Sequence, residues 1–472
     1  MRIGRSATTL FLANAGKALL LFAGTAYFSQ VLGGAGFAPA ILFEALLGLL
    51  SIPADMGLRG AVEKRISEGD RAGVVVATSL VLKTVPLLLV GGVVLLFRGQ
   101  IAAYLGAPLA SLLVLTLAVQ EAALVCTAAV RGELRVSASA SIMFSKYAGW
   151  VGIGVVLVQF GYGALAPVYG LLGGNVVALL WAVATLRATP GRPAVATARS
   201  LVRYARYNVV SDIGGYAYNW IDVLVLGLFV APASVTAYEI AWRVSMTVMT
   251  FSAALSDTIF PQISAWDADG SKRRIEQLLP HMLALSIFVA VPSFFGALLY
   301  ADAILAFVFA PEYTIAAVAL VVLMGEKVFQ SVHAVLGRTL QAIDRPDLAA
   351  MATVLAIAVN VVFNVVLIQA YGIVGAAAAT ALSFLLNTVA HGYFVAQFLS
   401  IEIPARQIAH SVLSAVAMTA GLLLVRQTFG VTTPLALVGN IFLGGFLYVV
   451  AMLLSRRVRW TVRYSFRAGE SV

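Results

Sequence analysis

Apolar stretches long enough to cross a lipid bilayer follow one another from residue 8 to residue 456, and this recurrence constrains the fold more than any other feature. A helix of about 20 apolar residues spans a hydrocarbon core of about 30 Å. Only 11% of the residues are charged, against about 25% in soluble globular proteins. The sequence therefore predicts an all-α polytopic membrane protein.

Glycine, proline and charged residues divide the apolar stretches into fourteen predicted transmembrane helices. The interval 187–206 is the least hydrophobic part of the chain and is too short for a folded domain, so no soluble domain is expected. The predicted helices cover residues 8–32, 36–58, 73–97, 101–130, 137–160, 162–186, 207–230, 234–262, 278–299, 313–340, 348–370, 373–398, 407–427 and 435–456.

Positive charge indicates how these helices are oriented. Most of the 31 lysines and arginines fall in loops on the side of the two termini, whereas the opposite loops hold Arg98 and Arg426. Cytoplasmic loops of membrane proteins are enriched in Lys and Arg, so we expect a cell-membrane protein with both termini cytoplasmic. The net charge of +10 is then a topology signal with some attraction to anionic membrane lipids. It does not indicate nucleic-acid binding.

An internal repeat links the two halves of the chain. The segment from Tyr104, YLGAPLASLLVLTLAVQEAALVCTAAVRGELR, is similar to the segment from Phe307, FVFAPEYTIAAVALVVLMGEKVFQSVHAVLGRTLQ. Each contains Ala-Pro, an apolar helix, a central glutamate (Glu121 or Glu326) and a basic turn. The two copies are six helices apart. Because six is even, both copies insert the same way up, as in parallel transporter repeats.

The repeat predicts the domain organisation. Two six-helix lobes are expected at residues 1–206 and 207–400, followed by two further helices and a basic cytoplasmic tail at 401–472. Two lobes that face each other create a central cleft, which is the geometry of alternating access.

Ionisable side chains inside the predicted spans are the main functional signal. A charge that faces lipid at a helix centre costs about 2.5–3.5 kcal/mol on insertion scales. These side chains are therefore expected to line a hydrated cavity or to pair between helices. The acids are Glu44, Asp55, Glu121, Asp212, Asp222, Glu239, Asp257 and Glu326, and the bases are Lys17, Lys83, Lys146, Arg243 and Lys327.

Several of these side chains have two interpretations. Glu239 and Arg243 share a helix face and form either a structural ion pair or part of a substrate site. Glu121 and Glu326 either brace the lobes or carry protons. Lys17 is expected to face the cavity. Two further lysines either face the cavity or reach a membrane surface, namely Lys83 and Lys146. Asp55, near the inner boundary of its span, is expected to make a helix-end or loop contact, and Asp257 and Lys327 are expected to be structural partners.

Four segments carry a family resemblance. Residues 220–244 read WIDVLVLGLFVAPASVTAYEIAWRV, and FPQIS follows at 260–264. Further on stand FAPEYTIAAVAL at 309–320 and NVVFNVVLIQAYGIVGAAAATALS at 360–383. These segments resemble the polysaccharide and oligosaccharide flippases of the multidrug/oligosaccharidyl-lipid/polysaccharide exporter superfamily. The resemblance implies a V-shaped, two-lobed fold like that of multidrug and toxic-compound extrusion (MATE) transporters, and a protein that is not an enzyme.

The resemblance also implies a cargo, a polyprenyl phosphate- or diphosphate-linked oligosaccharide that is flipped across the cytoplasmic membrane for surface polysaccharide or glycan assembly. The lipid tail can stay in the bilayer while a hydrated, cationic cleft shelters the phosphate. Lys17 and Arg243 are the first candidates for cargo binding, followed by Lys83 and Lys146. The candidate cavity acids are Glu44, Glu121, Glu239 and Glu326. Expected partners are the lipid-linked glycan, membrane lipids, and glycosyltransferases or a polymerase of the same pathway.

A coupling-ion site is implied as well, with Na⁺ or H⁺ as the ion and no other cofactor. Some flippases of this superfamily have a sodium site whose pattern Asp222, Asn360, Asn364 and Thr380 match here. Their oxygen ligands suit a small cation, although an acid in place of Asn364 would bind it more tightly. The two asparagines can also simply form hydrogen bonds between helices. Asp212 is an alternative proton-binding or gating residue.

Three other functions compete with this interpretation. A MATE-type drug/cation antiporter shares the fold, but its cleft is expected to be dominated by acids, whereas five bases lie inside the spans here. A membrane glycosyltransferase or polymerase needs large outer loops with catalytic acids. Here the predicted outer loops are short, and their only acidic residues are Asp302 and Glu312. A non-transporting assembly partner does not need so many buried charges. No GxxxxGK[ST] motif occurs, so ATP is not expected to drive this chain directly.

Overall fold

The structure is a computed structural model that describes the backbone of residues 2–189 and 191–454 and the side chains of these residues, except those of 2–14, 207–219 and 429. The described residues form helices and connecting segments, with no β-strand among them. The predicted all-α class is therefore confirmed. An apolar chain of this kind forms helices because a helix satisfies all backbone hydrogen bonds within one segment.

Sixteen α-helices and two short 3-10 helices make up the described chain. The 3-10 helices are Gly163–Leu165 and Pro311–Ala316. The α-helices are α1 (Arg2–Asp55), α2 (Leu58–Ser67), α3 (Ala72–Leu96), α4 (Arg98–Leu105), α5 (Ala110–Gly132), α6 (Val136–Gln159), α7 (Ala166–Thr185), α8 (Val195–Phe229), α9 (Pro232–Met246), α10 (Met249–Ala268), α11 (Lys272–Ser286), α12 (Ala290–Val308), α13 (Ala317–Ala342), α14 (Pro346–Ala396), α15 (Ala405–Phe429) and α16 (Pro434–Leu453).

The predicted count of fourteen helices is not confirmed, although each predicted span overlaps a helix of the structure. Helices α1 and α14 each contain two predicted spans. Conversely, the predicted spans 101–130, 234–262 and 278–299 are each divided into two helices. Ten helical stretches of the described residues are long and apolar enough to cross a membrane, which supports the multi-pass membrane assignment.

Helix α14 folds back on itself at Gly372. This residue has φ 56° and ψ −132°, a backbone conformation that costs little for glycine and much for other residues. A Cβ atom on Gly375 would lie 2.0 Å from the carbonyl oxygen of Leu367, whereas in a continuous helix these residues would be about 12 Å apart. The element α14 is therefore two helices joined by a tight turn, and Gly375 allows their backbones to meet.

Helix α1 is interrupted in a similar way at Gly33. Its φ of 68° and ψ of 173° lie in a region that is accessible essentially to glycine alone. The interruption separates the two predicted spans 8–32 and 36–58. Here the neighbouring contact is looser, since a Cβ atom on Gly36 would lie 3.2 Å from Leu32 Cβ.

The chain forms two compact units, Met1–Thr236 and Ala237–Val472. In the first unit α1 contacts α5, α6 and α8, and α7 packs against α5 and α6. In the second unit α13 is central and contacts α10, α11, α12 and α14, while α15 and α16 pack against each other and against α12. The predicted lobe boundary at residue 206 falls inside α8, and the division into two six-helix lobes stays a prediction.

Close packing between α6 and α7 fixes one part of the first unit. A Cβ atom on Gly174 would lie 2.4 Å from the carbonyl oxygen of Lys146, and one on Gly170 would lie 2.7 Å from that of Trp150. Small residues permit this approach of backbones between membrane helices. The indole of Trp150 also donates a hydrogen bond to the Pro167 carbonyl over 3.2 Å. Lys146 consequently projects from a firmly seated helix.

Candidate functional site

Lys83 of α3 is the centre of a buried network in the first unit. Its side chain is 1% exposed, and its Nζ donates to Asp55 Oδ1 over 2.6 Å and to the carboxylate of Glu121. Ser51 donates to the other carboxylate oxygen of Glu121. Arg59 Nε lies 3.1 Å from Asp55 Oδ2. The five residues, here called the Lys83 network, connect α1, α2, α3 and α5.

The Lys83 network is neutral, because Lys83 and Arg59 balance Asp55 and Glu121. A buried charge without a partner is strongly unfavourable, whereas charges that are paired and hydrogen-bonded are tolerated. Asp55 makes the expected contact at a helix end, because it joins the end of α1 to Arg59 of α2 and to Lys83 of α3. Contact of Lys83 with cargo stays a prediction.

A second group of charged residues surrounds Lys146 of α6, which is half-buried. Its Nζ lies 3.3 Å from Gln120 Oε1, and the charges of Glu44 and Lys17 act on it. Lys17 of α1 is also half-buried, with its Nζ 5.5 Å from the centre of the Tyr147 ring. The charges of Glu121 and Arg59, which belong to the Lys83 network, also act on Lys146. The structure thus brings together two of the predicted cargo-binding bases and two of the predicted cavity acids.

Positive charge exceeds negative charge in this second group. The charge of Arg131, at the end of α5, acts on Lys17. Three bases therefore accompany Glu44, the acid of this group that does not belong to the Lys83 network. We call Lys17, Arg131 and Lys146 the cationic group. The adjacent Lys83 network does not cancel this excess, because it is neutral in itself.

The second unit contains two ion pairs within the helices. Arg243 Nε lies 2.6 Å from Glu239 Oε1 on α9. Lys327 Nζ lies 2.7 Å from Glu326 Oε2 on α13, and both side chains are fully buried. The same Nζ lies 4.0 Å from the centre of the Trp242 ring. The arrangement shows the predicted Glu239–Arg243 pair, while a substrate role for Arg243 stays a prediction.

Asn360, Asn364 and Thr380 lie together on the two parts of α14. Asn364 Nδ2 is 3.1 Å from Asn360 Oδ1, and Asn360 Nδ2 is 3.5 Å from Thr380 Oγ1. All three side chains are buried. One hydrogen bond thus crosses the turn of α14, from Asn360 to Thr380, and an ion site that includes these residues stays a prediction.

The predicted acidic member of that ion site, Asp222, lies on α8 and is 5% exposed. The surrounding part of α8 is held by the Tyr104 hydroxyl, which donates to the Leu224 carbonyl over 2.9 Å. The side chain of Asp212 lies outside the described residues. In the part of the chain that the structure describes, no group of three or more His, Cys, Asp or Glu residues could hold a metal ion.

Two histidines that were not among the predicted site residues meet in the second unit. The ring centres of His333 on α13 and His391 on α14 are 4.5 Å apart. Asn387 contacts both rings. A histidine inside an apolar span is an unusual signal in a membrane protein, and both lie inside predicted spans. Their proximity, however, depends on how α13 and α14 pack, which the sequence does not specify.

Two comparisons with known proteins bear on the identity of the chain. Residues 36–318 match the model of a family described as "Polysaccharide biosynthesis protein". The whole chain is 42% identical to the probable low-salt glycan biosynthesis flippase Agl15 of Haloferax volcanii, and the match covers 98% of each chain.

Comparison with solved structures identifies the fold. The lipid II flippase MurJ, in an inward closed conformation, matches with a TM-score of 0.77 and 16% identity, covering 94% of this chain and 97% of that chain. An inward-facing multidrug resistance MATE family transporter matches with a TM-score of 0.62 and 16% identity, covering 81% and 94%. The structure thus has a MurJ- and MATE-like fold. This confirms the MATE-like fold that the sequence resemblance implied, while the V shape stays a prediction.

Proposed function

Since the chain belongs to the polysaccharide biosynthesis protein family, we propose that it flips a lipid-linked oligosaccharide across the cell membrane. The family assignment confirms the resemblance to superfamily flippases. The protein is a multi-pass membrane transporter and not an enzyme. The proposed cargo is a polyprenyl phosphate- or diphosphate-linked glycan that is used in surface glycan assembly.

The excess of positive charge in the cationic group is the observation that carries the proposal. A lipid-linked glycan has a phosphate or diphosphate that must leave the head-group region during flipping. Lys and Arg stabilise such a group most strongly where water is scarce. Lys17 and Lys146 are half-buried. The acids Glu44 and Glu121 act on Lys146, and Glu121 is already paired with Lys83, so the cationic group keeps an excess of positive charge that can bind an anion.

The Lys83 network has a different role in this proposal. It is already neutral and buried, so drawing Lys83 onto a phosphate would leave Asp55 and Glu121 without their shared partner. We assign Lys83 to holding α1, α3 and α5 in place beside the cationic group. Arg243 is proposed as a further cargo contact in the second unit, which requires it to be shared between Glu239 and the cargo phosphate.

Cation-coupled alternating access is the proposed mechanism. Asp222 with Asn360, Asn364 and Thr380 is the candidate Na⁺ site, with Asp212 as the alternative proton-binding or gating residue. A cation that binds one conformation better than the other shifts the population toward it and so drives cargo movement. The glycosyltransferases or polymerase of the same pathway are the proposed protein partners.

Flipping in reconstituted vesicles tests the cargo-binding part. A fluorescent polyprenyl diphosphate-linked oligosaccharide in proteoliposomes reports its leaflet through quenching by an added reductant. The double variant K17A/K146A is expected to lower the flipping rate about tenfold or more, because each charge-assisted contact contributes roughly 1.5–3 kcal/mol.

The matched control is K64A/K272A, which removes two exposed lysines outside the cationic group and is expected to flip at the wild-type rate. Wild-type flipping by K17A/K146A would contradict the cargo-binding role. Absence of flipping by the wild-type protein, together with export of cationic dyes, would favour the MATE-type antiporter.

A further inference from the structure

The second unit contains a pair of histidines that the proposed function has not used. His333 lies on α13 and His391 on the second part of α14, and their rings are nearly perpendicular, at 80°, with centres 4.5 Å apart. His391 is 1% exposed. Both residues lie within helical stretches that are apolar enough to cross a membrane, where an ionisable residue usually has a function.

Hydrogen bonds define the protonation of His391. Its Nδ1 lies 2.9 Å from the backbone carbonyl oxygen of Asn387, and a carbonyl oxygen only accepts. This Nδ1 therefore carries a proton and donates it. The remaining ring nitrogen, Nε2, is the atom of His391 at which a further proton can bind.

Asn387 also fits His333 in either of its charge states. The Asn387 side-chain Nδ2 lies 3.2 Å from His333 Nε2, an arrangement in which a neutral imidazole accepts. An imidazolium has protons on both ring nitrogens. Rotation of the Asn387 amide by half a turn would then present Oδ1 in place of Nδ2. Asn387 can therefore form a hydrogen bond to His333 both before and after this ring binds a proton.

The two Nε2 atoms face the same point on α13. A Cβ atom on Gly337 would lie 3.7 Å from His391 Nε2 and 3.9 Å from His333 Nε2. The glycine thus leaves a small space into which both proton-binding atoms open. A proton can be shared across this space or pass from one ring to the other.

Other charged groups near the pair are already matched. On α13, Glu326 pairs with Lys327, and Arg338 pairs with Asp257 of α10 at 2.5 Å. Among the described charged groups of α10, α11, α12 and α14, the one that acts on His333 is His391. The net charge at this place therefore depends on the two imidazoles themselves.

We propose that His333 and His391 form a site for a single proton, and that this proton is the cation coupled to flipping. The inference rests on the proposed function, because it names the coupling ion and its site. Two positive imidazoles 4.5 Å apart would repel each other strongly in a medium of low dielectric. Binding of the first proton therefore opposes a second, and the pair alternates between neutral and singly charged.

Proton binding can be tested without cargo. The chain contains four histidines, so ¹⁵N-histidine spectra of the full-length protein in lipid nanodiscs should resolve each ring. In the H281Q/H410Q background, the two remaining signals are expected to change together as the pH is lowered and to take up one proton in total. Two independent protonations, or no protonation of either ring, would overturn the proposal.

Coupling is tested in the flipping proteoliposomes by imposing a pH gradient at zero membrane potential. One proton per cargo predicts that the steady-state distribution of cargo between leaflets changes about tenfold per pH unit. H333F and H391F are expected to flip cargo without responding to the gradient, because each keeps an aromatic ring and loses the proton site. The control H281Q/H410Q should respond like the wild type.

The outcomes separate the two proposals. Absence of flipping in the wild type would refute the proposed function. Wild-type flipping that ignores the gradient, or a gradient response that survives in H333F and H391F, would refute the proton site and leave the flippase assignment intact. N387D adds an independent readout: its carboxylate favours the imidazolium, so the midpoint of the histidine titration should move to higher pH. An unmoved midpoint would overturn the role of Asn387 at the site.

Discussion

Both units bury a glutamate at the same position of the internal repeat, but they neutralise it differently. In the first unit Glu121 binds Lys83 and Ser51, which come from other helices. In the second unit Glu326 pairs with Lys327, its neighbour in the chain. The two glutamates at matching positions of the predicted repeat therefore differ in their partners, which come from other helices for Glu121 and from the adjacent residue for Glu326.

The origin of the partner determines what a buried ion pair can do. The Lys83 network connects α1, α2, α3 and α5, so its loss should loosen several helices at once. The Glu326–Lys327 pair lies within one turn of α13, and Lys327 meets other helices through the rings of Trp242 and Phe384. Buried ion pairs between helices are therefore expected to stabilise the first unit, while buried contacts between helices of the second unit include the neutral Ser252–Ser331 hydrogen bond of 2.9 Å.

The largest expected effect comes from removing the shared lysine of the first unit. K83M leaves Glu121 without a positive partner and Asp55 with Arg59 alone, and breaking a buried pair in this way costs about 3–5 kcal/mol. The midpoint of thermal unfolding in detergent, followed by tryptophan fluorescence, should fall sharply. Adding E121Q to K83M should recover part of the loss, because it removes the uncompensated charge.

The matched variant of the second unit is K327M. It removes the ion pair with Glu326 on the same helix and two contacts with aromatic rings of other helices, whereas K83M removes ion pairs between helices, so the unfolding midpoint of K327M should fall less than that of K83M. Equal losses for K83M and K327M would contradict the distinction between a network across helices and a local pair.

A smaller loss of stability is expected from substitutions beside the two glycine interruptions, Gly372 in α14 and Gly33 in α1. G375A places a Cβ atom 2.0 Å from the Leu367 carbonyl oxygen, and forced overpacking costs about 1–3 kcal/mol. G36A meets Leu32 Cβ at 3.2 Å and requires only a slight shift. Unfolding midpoints of the two variants should therefore differ, with G375A the less stable. G92A, which has open space around its Cβ, serves as the control.

The smallest difference in the free energy of unfolding is expected between variants of two buried serines. S51A removes a donor to the ionised carboxylate of Glu121, whereas S331A removes a hydrogen bond between two neutral hydroxyls. Hydrogen bonds to charged groups contribute roughly 1.5–3 kcal/mol and neutral ones about 1 kcal/mol. Denaturant unfolding should thus show S51A to be less stable than S331A by about 1 kcal/mol. The reverse order would indicate that Glu121 is not ionised.

The helices and the ionisable residues inside them could be predicted well from the sequence, because membrane thickness fixes the length of an apolar span. The spans 348–370 and 373–398 meet at Gly372, where the structure places the turn of α14. The number of helices was predicted less well. Three predicted spans are divided near Gly106, Thr247 and Phe288 without a loop of polar residues, and polarity therefore gave no sign of these breaks.

Partners of the buried charges were beyond the reach of the sequence. Asp55 and Lys83 lie on different helices, and nothing in their spacing shows that α1 and α3 would bring them to 2.6 Å. The same applies to His333 and His391, which meet only because α13 packs against the second part of α14. By contrast, Glu239 and Arg243 are one turn apart on a single helix, so their ion pair followed from helical geometry.

Depletion of the protein from its native cell shows whether it flips a lipid-linked glycan. Lipid-linked glycan in the outer leaflet would be measured with a glycosidase that does not cross the membrane, before and after depletion. We predict that the accessible fraction falls about tenfold while total lipid-linked glycan rises, and that re-expression of wild type but not of K17A/K146A restores it. An accessible fraction that is unchanged by depletion would contradict the account.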